Sequence, residues 1–168
     1  MSDLALWRDH ARYNRLANVR LYEACAGIDD EARHRDVGAF FGSLHGTLNH
    51  LLLGDRVWMA RFEGGEHPST GLDATLHADF ADLRAAREDF DARIESFFAS
   101  PPAGFPDRVV RYVNNEGRVF EDPMALILPH FFNHQTHHRG QAHAILSMLG
   151  MGKATPVLDL HRVLKPDP

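Results

Sequence analysis

Five of the chain's 12 histidines lie within residues 129–143, and three of them, His130, His134 and His138, are spaced four apart. On a helix this spacing stacks the imidazoles one turn above another on a single face. Two neutral imidazoles so placed can chelate one divalent metal ion. Phe131, His134, Gln141 or Ala142, Ile145 and Leu149 carry the face onward at helical spacing, which predicts that it looks into a bundle interior. Against this stands the commoner fate of a single His-x-x-x-His pair, solvated or buried with one hydrogen bond. A third histidine in an unusual setting favours the metal. In the apolar run 40–58, Gly42, Gly46, His50 and Gly54 recur every four residues. A glycine inside a helix costs about 1 kcal/mol relative to alanine, so a stripe of them needs a reason. Either the stripe lets two helices pack closely with His50 hydrogen-bonded between them, or it opens a groove beside a metal-bound imidazole.

The run Ser43-Leu44-His45-Gly46-Thr47-Leu48-Asn49-His50, continued to Trp58, and the downstream Asn133-His134-Gln135-Thr136-His137-His138-Arg139-Gly140-Gln141 resemble the DinB family of metal-binding four-helix bundles. Tyr13-Asn14-Arg15-Leu16-Ala17-Asn18 is similar to that family's opening helix, so the likeness covers nearly the whole chain. Leu16 stands where the family often has Trp, a departure that touches packing and not the ligands. The resemblance implies an all-α fold: a four-helix bundle running up-down-down-up with a crossover, plus a small β-hairpin before the last helix. It implies one divalent metal ion, with zinc, nickel and iron the leading identities, held by His50, His134 and His138. It also implies a homodimer and a thiol S-transferase type of activity, in which the metal activates a low-molecular-weight thiol. Two rivals remain open: a hydrolase using metal-bound water, and a non-catalytic metal- or ligand-binding bundle. A metalloprotease helix would need Glu at position 135 as general base, and this chain has Gln135.

Other polar residues divide between site and scaffold. Asn14 and Asn18 interrupt the apolar face of the first helix and must be paired, either across helices or along the cavity. With Gln141 they are candidates to hold the non-reacting part of a ligand. Asp55 is read first as the partner of an arginine and second as an acceptor orienting a ligand. His45 and His130 are candidates for that supporting role. His137 points about 60° away from His134 on the helical wheel, outside the ligand seam.

These side chains need a frame, and 168 residues with 44% hydrophobic and 24% charged composition fit one domain with a substantial core. Net charge of -5 without a basic run argues against nucleic-acid or anionic-membrane partners. The first residues show no apolar segment of signal type, and the lone Cys25 suits a reducing compartment, so a cytoplasmic location is expected. Periodicity predicts helices over 4–26, 40–63 and 75–99, with a charged connection at 29–36 and a breaker-rich loop at 64–73. Strands near 108–113 and 118–121 flank a turn. The last helix is expected to start with Asp122 as its cap, to kink at Pro129 and to end at Gly150 and Gly152. The tail from residue 155 reads as an extended strap able to cover one mouth of the site.

Overall fold

The computed structural model describes residues 3–65, 70–114 and 116–165. Helix α1 (Asp3–Ala26) buries Ala11, Asn14, Ala17, Asn18, Leu21 and Cys25, a stripe at steps of three and four. The charged connection is partly helical: the Asp29 side chain accepts from Ala32 N–H at 2.7 Å and caps α2 (Asp30–His34). Helix α3 (Leu44–Glu63) starts four residues later than its apolar pattern suggests, because Ser43 Oγ accepts from Gly46 N–H and sets the first turn there. Gly42 therefore lies outside the helix, at φ +72° in a tight turn bridged to Ala39. The glycine stripe reduces to Gly46 and Gly54.

Helix α4 (Phe80–Ala99) also starts late, since Asp79 accepts from Ala81 and Asp82 N–H and leaves Leu76 in the preceding loop. Strands β1 (Val109–Val113) and β2 (Val119–Pro123) pair antiparallel, with Val113 opposite Val119. Asp122 is not a helix cap. It sits in β2 and accepts from Tyr112 Oη at 2.8 Å, while Pro123 occupies the cap position of α5 (Met124–Leu146) without a side-chain bond. Pro129 lies inside α5, and the helix runs on through it. A wider turn at Ser147–Met151 follows, ended by Gly150 at φ +101°. The tail is not wholly extended, for it forms a short α6 (Leu160–Leu164).

Contacts fix the course of the four long helices. Arg8 near the start of α1 donates to the carbonyls of Phe98 and Ala99 at the end of α4, so these two are antiparallel. Asp55 with Arg87 and Glu63 with Arg93 pair in rising order, so α3 and α4 run the same way. His50 meets His138 while Phe62 meets Phe131, so α3 and α5 are antiparallel. Trp7 stacks on Phe132 and Tyr13 lies under Arg139, so α1 and α5 are parallel. The result is up-down-down-up. The connection between α3 and α4 must return along a bundle of 20-residue helices, roughly 30 Å.

One end of the core is aromatic, with Phe62 against Phe131 at 5.3 Å and against Phe105 at 5.8 Å. The centre is polar. Arg87, 1% exposed, pairs with Asp55 at 2.6 Å and Asp91 at 2.8 Å. Gln135 Nε2 donates to the other Asp55 oxygen at 2.8 Å, and Asn14 and Asn18 donate to Asp91 at 3.1 and 3.0 Å. Arg139 donates to Asn14 Oδ1. Two carboxylates and two guanidinium groups thus share one buried, charge-balanced cluster that ties all four long helices together. Burial raises the Asp55 and Asp91 carboxyls, and Arg87 pulls both back.

The tail lies over α1 and α5. Tyr13 Oη donates to Leu158 O at 2.7 Å, Arg20 to Val157 O at 2.9 Å, and Val163 packs on Tyr13 and Ala17. Among the described residues no helix is long and apolar enough to cross a membrane.

Candidate metal centre

His50 projects from the first half of α3, and His134 and His138 from adjacent turns of the antiparallel α5. Their Nε2 atoms converge: His50 stands 3.3 Å from His134 and 3.2 Å from His138. Among the described residues these three histidines offer ligand atoms that all lie within 4.8 Å of one another. Imidazole nitrogens bound tetrahedrally to one ion at about 2.0–2.1 Å stand about 3.3 Å apart, so the two measured spacings fit a shared divalent cation.

Hydrogen bonds on the far side of two of the rings, His50 and His138, decide which nitrogen is bare. His50 Nδ1 donates to the Leu72 carbonyl at 2.7 Å, and His138 Nδ1 donates to Gln141 Oε1 at 2.7 Å. Gln141 in turn offers its Nε2 to His137 Nε2 at 3.2 Å, which fixes the amide's orientation. Both arrangements leave Nε2 as the lone-pair atom turned to the centre. His134 Nδ1 is buried and has no hydrogen-bond partner. Burial, then the neighbouring His138 and His50, push His134 down to about 3. Burial also pushes His138 down to about 4, against the Gln141 bond and with help from His50. His50 is lowered by burial as well. Three imidazoles kept neutral and aimed at one point are a donor set for a borderline cation.

Elements beyond the three rings hold this geometry. Asn49 Oδ1 accepts from Leu76 and His77 N–H at 2.8 and 3.0 Å, which clips the connection onto α3 and places the Leu72 carbonyl over His50. Phe41 stacks on the His50 ring at 3.9 Å between centroids and meets His138 edge-on at 5.6 Å. Gly54 is needed for a close approach: a Cβ there would come 2.5 Å from His134 Cε1. Gly54→Ala should therefore weaken metal binding by about 10- to 100-fold, the range for a displaced ligand support. The same change favours the helix by about 1 kcal/mol, so the metal-free fold should survive. Chelator competition alongside thermal unfolding reads both effects, and unchanged affinity would show that Gly54 does not set the His134 ring.

The remaining sequence candidates sort clearly. Asn14 and Asn18 are 0% and 1% exposed and belong to the central Asp91–Arg139 cluster; neither lines the recess at the histidines. Gln141 lies at the site but holds His138 instead of facing the cavity. Asp55 pairs with Arg87. His45 Nε2 donates to His77 O, away from the three rings, and His143 contacts Pro156 O. His130 is exposed beside Trp58, 5.0 Å between rings, and lines the recess. The tail covers a different face. The site's mouth is bordered by Leu72 and by Asn114 and Glu116 of the hairpin turn. Cys25 is fully buried, and burial pushes its thiol up to about 12, so it is packing and not a nucleophile. The Leu72 carbonyl and the Phe41 ring carried no usable signal, the first because a backbone acceptor has no residue type and the second because it looked like helix core.

An up-down-down-up bundle with a three-imidazole centre between its second and last long helices defines a class of metal-binding helical proteins. The chain belongs to the DinB family, whose model matches residues 1–166. Protein DinB of Bacillus subtilis (strain 168) is 23% identical over 151 residues, covering 84% of this chain and 85% of that protein. No solved structure matches the chain significantly.

Proposed function

We propose that the chain is a metal-dependent enzyme of thiol S-transferase type. The observation that carries this is the setting of the three bare nitrogens: His50 and His134 form part of the wall of an open recess of about 360 Å³, large enough for a small organic molecule. A divalent ion held by His50, His134 and His138, with zinc, nickel and iron as the leading identities, would lower the pKa of a thiol bound to it. In the reaction a thiol loses its proton to solvent through the open mouth. The sulfur forms a bond to an electrophilic carbon, and the leaving group departs with its bonding pair.

The chain's own residues shape this chemistry. Trp58, Val57 and Leu72 give the recess apolar walls, which exclude part of the water competing for the electrophile. Gln135, beside His134 in sequence, is turned into the bundle and donates to Asp55, so that position supplies no general base for hydrolysis. Glu116 is the carboxylate at the mouth; it is exposed and pairs with Arg118 at 3.3 Å. The transfer reading is therefore favoured over the hydrolytic one. It takes a small-molecule thiol as partner, not nucleic acid or membrane, and a cytoplasmic homodimer as its setting.

Cobalt-substituted protein tests the reading, because Co(II) accepts imidazole sites and reports sulfur ligation by absorption. Adding small cysteine-derived thiols should produce a sulfur-to-cobalt charge-transfer band that strengthens with pH as thiolate forms. A loaded protein that shows no such band with any thiol of the panel would remove the transferase reading and leave the hydrolytic and non-catalytic ones.

A further inference from the structure

The recess beside the histidines is lined by one strongly basic side chain, Arg61, that no carboxylate neutralises among the described residues. Arg61, in the last turn of α3, lines it together with His50, Gly54 and Trp58, at steps of four, four and three along one helical face. Its guanidinium carbon lies 4.5 Å from the Trp58 ring centroid and 4.3 Å from that of Tyr112, in the corner made by two rings 5.6 Å apart and edge-on. Nε is buried without a hydrogen-bond partner, and Nη2 reaches the Val113 carbonyl only at 3.4 Å. Among the described residues no carboxylate pairs with Arg61, and Glu116, which also lines the recess, pairs with Arg118.

A guanidinium fixed by aromatic contacts, with only one long bond on its outer nitrogens, can offer those N–H groups to a carboxylate. One positive charge suits a monoanion better than a phosphate. From Gly54, against which His134 rests, to Arg61 is seven residues of helix, about 10 Å of rise. We infer that the recess takes an elongated thiol bearing a carboxylate at the end remote from its sulfur, and that Arg61 is the residue that selects for it. This rests on the transferase reading for what lies at the histidine end. The carboxylate end stands on Arg61 alone.

Calorimetric titration of the zinc-loaded protein with mercaptooctanoate, mercaptooctanol and octanoate separates the two ends. Mercaptooctanoate should bind roughly 10- to 100-fold more tightly than mercaptooctanol, as expected for a charge-assisted pair. The ratio should fall to near one in Arg61→Met, be partly kept in Arg61→Lys, and shrink with added salt. A ratio near one in the unaltered protein, or one that survives Arg61→Met, overturns the inference. The unaltered protein decides the first of these without any variant. If Arg61 only pins the hairpin to α3, Arg61→Met lowers the unfolding temperature and leaves the acid-to-alcohol ratio as it was. Octanoate binding as tightly as mercaptooctanoate, with the preference over the alcohol intact, would remove the thiol reading and leave Arg61 in place. Absence of binding by all three probes overturns the carboxylate site, and the cobalt band then decides the thiol reading independently.

Discussion

Replacing any one of His50, His134 and His138 by alanine is expected to empty the metal centre. Each supplies one of three converging Nε2 atoms, and two ligands cannot hold the ion against a chelator as three do. Affinity should fall by more than the roughly 10- to 100-fold that follows loss of an outer hydrogen bond. His143→Ala should leave occupancy unchanged, since that ring contacts the Pro156 carbonyl in the tail. His137→Ala should lower it slightly, because His137 touches the site only through Gln141. Metal content after dialysis, with anomalous scattering at the site, measures all five variants; an empty centre in His137→Ala alone would mean the helix register is wrong. The same centre sets a pH response. A lowered imidazole pKa means that the folded protein keeps the neutral, ligating form after free histidine has taken its proton. Occupancy should therefore persist as pH falls through 6.5, the ordinary value, and be lost by about 4, where His138 protonates ahead of His134. Over the same interval the unfolded chain binds protons that the folded metal-free protein refuses, so stability declines as pH drops below about 6.5.

Arg87→Ala should be the most damaging single change to the fold. It leaves Asp55 and Asp91, 0% and 2% exposed, without the guanidinium that pairs with both. Breaking a buried pair from one side costs about 3–5 kcal/mol, a large part of the stability of a domain this size. For Arg87 itself burial disfavours the charge, yet Asp91 and Asp55 outweigh burial and its pKa is raised. The damage thus comes from the stranded carboxylates. Arg87→Met combined with Asp55→Asn and Asp91→Asn removes the stranded carboxylates together with the guanidinium but leaves Arg139 charged in the cluster, so it should recover part of the loss. Urea unfolding of the single and triple variants makes the comparison. Equal destabilisation in both would assign the effect to lost packing of the Arg87 stem. Metal affinity should fall with the single variant too, because Gln135 anchors α5 to Asp55 one residue after His134.

Much of this protein is written in local pattern. The four long helices, the hairpin and the pair His134 and His138 follow from spacing, because helical geometry alone puts residues four apart on one face. Gln135 likewise announced in sequence that a protease-like base is missing. Helix starts were less readable: Ser43, Asp79 and Pro123, not the first apolar residue, decide where α3, α4 and α5 begin. Gly42, expected on the helix stripe, falls into a turn for that reason, whereas Gly54 proved to make room for the His134 ring.

Partnerships across the bundle belonged to tertiary structure alone. Nothing local tells Asn14 and Asn18 that Asp91 awaits them 77 and 73 residues away, or that Arg87 will sit between two carboxylates. Whether a polar group on an apolar face lines a cavity or closes a network depends on which helix lies opposite, and that is set by the up-down-down-up course. The Leu72 carbonyl on His50 and the Arg61 corner beside Trp58 and Tyr112 depend on the same packing. Periodicity specifies which face of a helix is buried; only the packed structure specifies what that face meets.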